Sequence, residues 1–342
     1  MFSQIREIEY RGRVNRIGWA LVIMIGAMNV IGVLNIAFYD VLWAIGSENV
    51  TVSVGAIIDT VCYLSYFLIP SWLFYIMSKK IAVEPIKFRP KFSKYLPLMI
   101  VAGIGISFGA AIINDWFCVI INYSLPQDNM PYYISNPELI ALYMTVSLAP
   151  AFAEELLFRG VIYTNLRPYG KISAVLISAL AFGLMHQNVG QFLYTTVAGI
   201  CLAMIYEETE SIWGCIFMHM FFNLFSVMTT AVQYRYDETV AIMIVYLMQA
   251  ILIFAGAICL FALIQIKKRE DRCKKETKEY TPSEGLFGFN RLNLTTPSHN
   301  TSMSVSDAFK IALKTPGIIC FLALSVLSAM LLIFLYSGGG IA

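Results

Sequence analysis

An all-α bundle of about eight to nine transmembrane helices is the fold class the sequence predicts, on three observations. Of 342 residues 58% are hydrophobic and 13% charged, with a mean hydropathy of +0.69, against roughly 25% charged in soluble domains. Apolar runs follow one another along the chain, and a helix of about 20 such residues crosses a hydrocarbon core of roughly 30 Å. Period-2 alternation of the barrel type is absent, so backbone polar groups in lipid have to be satisfied within helices.

Nine runs qualify in chain order. The first, 18–45, follows an arm carrying Arg6, Arg11, Arg13 and Arg16; it is too long for a signal peptide and lacks a small-residue cleavage site, so it is expected to persist as an anchor. Runs 54–78 and 95–122 come next, and Gly103, Gly105 and Gly109 in the latter read as small-residue helix packing. Runs 138–162, 172–187, 190–206 and 211–231 are separated by short loops, then come 239–266 and 316–336. Between the last two lies the one long polar segment, 267–307, expected to be a cytoplasmic linker, in which TPSEG and TTPSHNTS read as turn or disorder and His299 as a bystander. Beyond it, VSDAFKIALKTPG suggests a short interfacial helix capped at Ser306 and stopped before Pro316. We expect one integral membrane domain over 1–342, with runs one to three and nine as a casing around 138–231.

Orientation follows from where Lys and Arg collect. The second inter-run loop holds Lys79, Lys80, Lys87, Arg89, Lys91 and Lys94, the stretch after run eight reads KKREDRCKK, and loops 46–53 and 123–137 hold no basic residue. An N-inside chain leaves Arg235 as the only one of the 24 basic residues on the outer side. The acidic loop Glu207, Glu208 and Glu210 is the weak point of that model, although acidic residues count little in the rule. The net charge of +2 is thereby topology, which excludes nucleic acid as a partner. Seven cysteines with no CxxC pair offer neither a disulfide framework nor a metal knuckle. Asp59 and Asp115 fall in apolar runs and read as packing or interfacial residues; the sequons at Asn49 and Asn122 carry no meaning in a bacterial cell.

The chemistry concentrates in SLAPAFAEELLFRGVIY, where Glu154 and Glu155 stand in a run apolar enough to cross a bilayer. Ionisable groups there are costly and usually functional. On a helix, Glu155 and Arg159 share a face with the glutamate in the favourable N-terminal position, while Glu154 points roughly 100° away. That division leaves Glu154 to face a polar cavity as general base. His186 follows Phe182 by four in AFGLMHQN, and His219 precedes Asn223 by four in FMHMFFNLF, so each pair shares a helical face.

EELLFR, FGLMH and HMFFN match in order the EExxxR, FxxxH and HxxxN motifs of the CAAX-protease and bacteriocin-processing family of intramembrane proteases, also called the Abi or type II CAAX prenyl endopeptidase family. The resemblance covers 138–231, which it marks as the catalytic core spans. It implies a membrane fold of about eight helices with an intramembrane active site open toward the cytoplasm. It further implies that Glu154 is catalytic, that His186 helps it activate water, that His219 and Asn223 hold the substrate carbonyl or its oxyanion, and that Arg159 with Glu155 positions the first motif.

Two chemistries fit these side chains. In one, Glu154, His186 and His219 ligate zinc in a two-His-one-Glu set with a fourth position for water. In the other no metal binds: Glu154 and His186 deprotonate water while His219 and Asn223 stabilise the oxyanion. Asn is a poor zinc ligand and HExxH is absent, which favours the metal-free route; Glu155 remains a second candidate base. The expected activity is endoproteolysis of a peptide or protein substrate at the membrane, in a multi-pass protein of a prokaryotic plasma membrane with a cytoplasmic N-terminus. The rival classes are a non-catalytic immunity or scaffolding partner of the same fold and a proton-coupled transporter, for which inverted repeats or broken helices would be the sign.

Overall fold

The structure is a computed structural model that describes residues 2–45, 48–79, 83–91, 93–123, 136–276 and 303–337. Among these residues it is helical with no strand. Helices α1 (Phe2–Ile45), α2 (Glu48–Met77) and α3 (Leu96–Ile120) precede a segmented span made of α4 (Asn136–Leu142), a π-helical stretch (Tyr143–Leu148), α5 (Ala149–Glu155), a second π-helical stretch (Leu156–Tyr163), α6 (Thr164–Leu166) and a 3-10 turn (Arg167–Tyr169). Then follow α7 (Lys171–Met185), α8 (Val189–Thr209), α9 (Ile212–Arg235), α10 (Glu238–Glu276), α11 (Val305–Ala312) and α12 (Pro316–Ser337).

Seven of these helices are long and apolar enough to cross a membrane, or eight if the bent pair α11 and α12 counts as one span. Of the eight to nine spans expected, seven or eight are found among the described residues. The run at 172–187 is helical for only 15 residues, about 22 Å at 1.5 Å per residue, because Gln187 takes a left-handed φ of 53° and the Asn188 side chain caps α8 by accepting from the Gly190 N–H at 2.8 Å. Helix α7 thus ends at a short junction, where Asn188 accepts from the Tyr123 hydroxyl at 3.0 Å, and hands over to α8, which packs against it.

Small residues set the closest helix approaches. A Cβ on Gly105 would lie 2.7 Å from the Cα of Gly256, and one on Gly256 2.7 Å from the Cα of Gly105, so α3 and α10 meet backbone to backbone. Helix α3 also packs on α8 and α9, and half of its most apolar window is buried; it is an inner wall of the bundle, not the casing expected of the third run. Helices α1, α2 and α12 do lie together, with Asn15 Oδ1 accepting from the Gly317 N–H at 2.9 Å. On α2, Asp59 accepts from Asn35 and Tyr39, each at 2.6 Å, a packing role.

Two boundaries differ from expectation. Helix α10 continues to Glu276, so the first ten residues of the 267–307 segment are helical, their charged side chains extending a helix already nucleated in the apolar run. The segment from 277 to 302, with His299, lies outside the described residues. The interfacial helix forms as α11, but Ser304 caps it, accepting from the Asp307 N–H at 3.0 Å, and the chain turns by 76° into α12.

Ion pairs gather at one end of the bundle. Arg167 Nε lies 2.6 Å and Lys171 Nζ 2.5 Å from Glu207, and Lys87 Nζ 3.2 Å from Glu210. The Ile212 N–H and Trp213 indole donate to the carbonyls of Lys87 and Phe88. The α2–α3 loop, the start of α7 and the α8–α9 turn are thereby laced into one polar face.

Candidate active site

The first motif sits where the span changes helical gauge. Glu154 and Glu155 close α5, and the next eight residues, Leu156–Tyr163, form π-helix, a geometry often found at functional sites. Wider turns leave carbonyls to be satisfied from elsewhere. Ser178 donates to the Phe158 carbonyl at 2.9 Å and Thr164 to that of Arg159 at 2.7 Å.

Glu155 and Arg159 form an ion pair at 2.8 Å with neither side chain exposed. Removing one partner of such a pair typically costs about 3–5 kcal/mol, because the other charge stays buried. Arg159 also donates to the Gly199 carbonyl at 2.8 Å, and its guanidinium carbon lies 4.7 Å from the centre of the Phe182 ring. The same Glu155 oxygen lies 2.9 Å from His219 Nδ1. A carboxylate only accepts, so Nδ1 carries the proton and Nε2 turns toward Glu154, whose Oε2 is 3.9 Å away.

Glu154 is 2% exposed. Its Oε1 accepts from the Tyr63 hydroxyl on α2; its Oε2 is buried without a protein hydrogen-bond partner. The two carboxylates therefore differ in environment: one is locked to a cation, the other faces a cavity of about 370 Å³ that Glu154, His186, His219 and Asn223 all line.

The phenylalanine of the second motif packs both imidazoles. Phe182 meets His186 and His219 edge-on at 5.3 and 5.6 Å between centroids, and its carbonyl, near the end of α7, lies 2.9 Å from His186 Nδ1. That carbonyl is among those a helix terminus leaves unpaired. It fixes the tautomer, with Nδ1–H donating and Nε2 bearing the lone pair.

All six motif residues are thus brought together: Glu154, His186, His219 and Asn223 on the cavity, Glu155 and Arg159 immediately behind it. The sequence does not single out Tyr63, Gln191, Tyr194, Thr195 or Ser226, which line the same cavity. Tyr63 belongs to no motif and lies on another span; only the fold pairs it with Glu154. Asn114 on α3 is a second such residue: fully buried, it donates to the Gly190 carbonyl at 2.8 Å and accepts from the Leu193 N–H at 3.1 Å, pinning the break between α7 and α8.

Ligands held about 2.0–2.2 Å from a tetrahedral zinc stand roughly 3.4 Å apart, whereas Glu154 Oε2 and His219 Nε2 are 3.9 Å apart. Among the described residues no three His, Cys, Asp or Glu side chains are grouped to hold a metal ion. As placed, the Glu154 and His219 donors stand about half an ångström farther apart than two ligands of one zinc ion.

Residues 136–225 match the family model described as Type II CAAX prenyl endopeptidase Rce1-like. The segment is Rce1-like. It contains the motif residues from Glu154 to Asn223, and Tyr63 lies outside it. The UPF0177 protein YvdC of Lactococcus lactis subsp. lactis (strain IL1403) is 26% identical over 179 residues, 51% of this chain and 67% of that one. The "Putative membrane peptidase YdiL" of Bacillus subtilis (strain 168) is 36% identical over 84 residues, 24% of this chain and 34% of that one; the chain spans about a third of that relative's length. No solved structure matches. The Rce1-like segment and the seven or eight apolar helices together make this a multi-pass membrane protein similar to an intramembrane protease family.

Proposed function

We propose that the protein is an intramembrane endopeptidase in which Glu154 activates water against a peptide carbonyl. The observation that carries the proposal is the division of labour between the glutamates: Glu155 is consumed by Arg159 and His219, whereas Glu154 offers an unpartnered oxygen beside a cavity that two histidines and an asparagine also line. A water between Glu154 Oε2 and His219 Nε2 would reach both, since their 3.9 Å separation is a one-water spacing.

Glu154 takes a proton from that water as the oxygen attacks the carbonyl carbon, and the carbonyl π electrons move to oxygen. The Asn223 amide donates to the oxyanion. With Nδ1–H held by Glu155, His219 presents its Nε2 lone pair to the attacking water beside Glu154. As the C–N bond breaks, Glu154 returns its proton to the leaving amine. His186, with its Nε2 lone pair, is the second acceptor that can hold or orient water. No step requires a metal.

Purified wild type and Glu154→Gln are to be compared in liposomes on a labelled peptide library, with chelator titrated into both. The expected result is cleavage by wild type alone, undiminished by chelator. Full activity of Glu154→Gln would remove Glu154 from the mechanism, and loss of wild-type activity to chelator would restore the zinc route. A binding partner of the same fold would cleave nothing in either form.

A further inference from the structure

Beyond the motif residues, the cavity carries polar groups with nothing to bind. Gln191 and Tyr194 on α8 and Ser226 on α9 line it, and none of the three side chains has a hydrogen-bond partner among the described residues. Thr195, on the same face of α8, is already engaged: its hydroxyl donates to the Gln191 carbonyl at 2.7 Å. The surroundings hold these groups in place. Asn114 grips the first turn of α8 through the Gly190 carbonyl and the Leu193 N–H, and the Tyr194 ring lies 6.0 Å from that of Phe222 between centroids. Their distance from the chemistry follows from the helix rise. Arg159, paired with Glu155, donates to the Gly199 carbonyl, so α8 passes the glutamates at Gly199. Gln191 stands eight residues earlier, about 12 Å along the axis. On α9, Ser226 follows His219 by seven residues, about 10 Å. Helices α8 and α9 pack together and are joined by the turn at Glu210 and Ser211, so Gln191 and Ser226 both lie farther from that turn than the catalytic level. An extended chain rises about 3.3 Å per residue, so 10–12 Å is three to four residues of it.

The chemistry of these groups selects what they hold. A helical peptide satisfies its own N–H and C=O groups, whereas an extended one leaves a donor and an acceptor open at each residue. A side-chain amide and two hydroxyls each donate and accept, which suits an open backbone. A charged side chain would call for an opposite charge, and Gln191, Tyr194 and Ser226 offer none. We infer that the substrate lies in this cavity as a single extended strand, held through its backbone by Gln191, with Tyr194 and Ser226 beside it, three to four residues to one side of the scissile bond. Recognition at that point is then blind to side-chain identity, and selectivity for side chains falls to the apolar wall of Phe182, Leu202 and Met218. The inference rests on the proposed peptidase activity for the scissile bond; the binding of an extended peptide does not depend on it.

The test deletes one backbone N–H at a time. The probe is the labelled peptide library, made with matched members in which a single amide is replaced by an ester, so that the side chains are unchanged. Retention on immobilised Glu154→Gln protein reads binding, and cleavage by the Glu154 protein reads turnover. Both are repeated with Gln191→Leu added. The expected result is one ester position, three to four residues from the bond cut, that lowers retention and kcat/KM at least about fivefold with Gln191 present and less than about twofold in Gln191→Leu, the effect of a single hydrogen bond. Ser226→Ala, which removes only a hydroxyl, is expected to lose sensitivity in the same way at a neighbouring position, and it decides the question where Gln191→Leu does not fold. Ester effects of equal size with and without these side chains, or absent at every position, would overturn the inference while cleavage left the peptidase standing. Position-specific retention without cleavage would keep the strand and reject the peptidase. Neither retention nor cleavage of any member would overturn both.

Discussion

Tyr63 illustrates how one hydroxyl can decide which oxygen of a carboxylate works. By donating to Glu154 Oε1 it leaves Oε2 for the water of the proposed mechanism, and the ring is held by Phe67 at 5.3 Å between centroids. A hydrogen bond to a charged group contributes about 1.5–3 kcal/mol. Tyr63→Phe, which keeps the ring and its packing, is expected to lower kcat by at least about tenfold with KM little changed, read from steady-state cleavage in liposomes; unchanged kcat would reduce Tyr63 to packing. The contacts of residues inside the motifs were open to sequence reasoning because helical spacing orients neighbours: four residues separate Glu155 from Arg159 and Phe182 from His186, and the ion pair and ring contact follow. Tyr63 and Asn114 could not be found that way. Each acts on a partner dozens of residues away, and nothing local distinguishes Tyr63 from the other tyrosines of its run.

At the level of helices, the existence of each apolar run was legible, but its length was not. Hydropathy carries no sign of the left-handed turn at Gln187 that ends α7, or of the bend between α11 and α12, because both depend on a few backbone torsions. The glycines of α3 were more informative. Since Gly105 and Gly256 face each other with no room for a Cβ, Gly256→Ala must push α10 off α3; overpacking of this kind costs about 1–3 kcal/mol, to be seen as a lower thermal midpoint in detergent. The α8–α9 turn carries a pH dependence of its own. Hydrogen bonding to Lys87, with Arg167 and Lys91 nearby, holds the Glu210 carboxyl below its ordinary range. Its stabilising contribution is present above the unfolded value of about 4.3 and is lost as pH falls through the lower folded one. Glu210→Gln should therefore lower the thermal midpoint near pH 7 and converge with wild type in acid. The effect should be small, because Glu210 is 41% exposed and surface pairs contribute about 0–1 kcal/mol. An equal deficit at both pH values would show that the carboxylate charge is not the cause.

For the molecule as a whole, the segment most readily recognised in the sequence is also the best-buried part, and the helices around it were the harder ones to place. Helix α3 belongs to the inner wall although its sequence marks it only as apolar and glycine-containing; helix α2 supplies Tyr63 from outside the Rce1-like segment. Beneath Glu154 and Glu155, the layer of Leu157, Phe158, Val161 and Tyr163 has no exposed surface, and this has a consequence for the cell rather than for the reaction. A hydrolase within an energised bilayer has to admit water without opening a leak, since each elementary charge crossing releases about 2.3 kcal/mol per 100 mV. In the proposed peptidase, this buried layer beside the glutamates would keep the permeability barrier intact while water reaches Glu154.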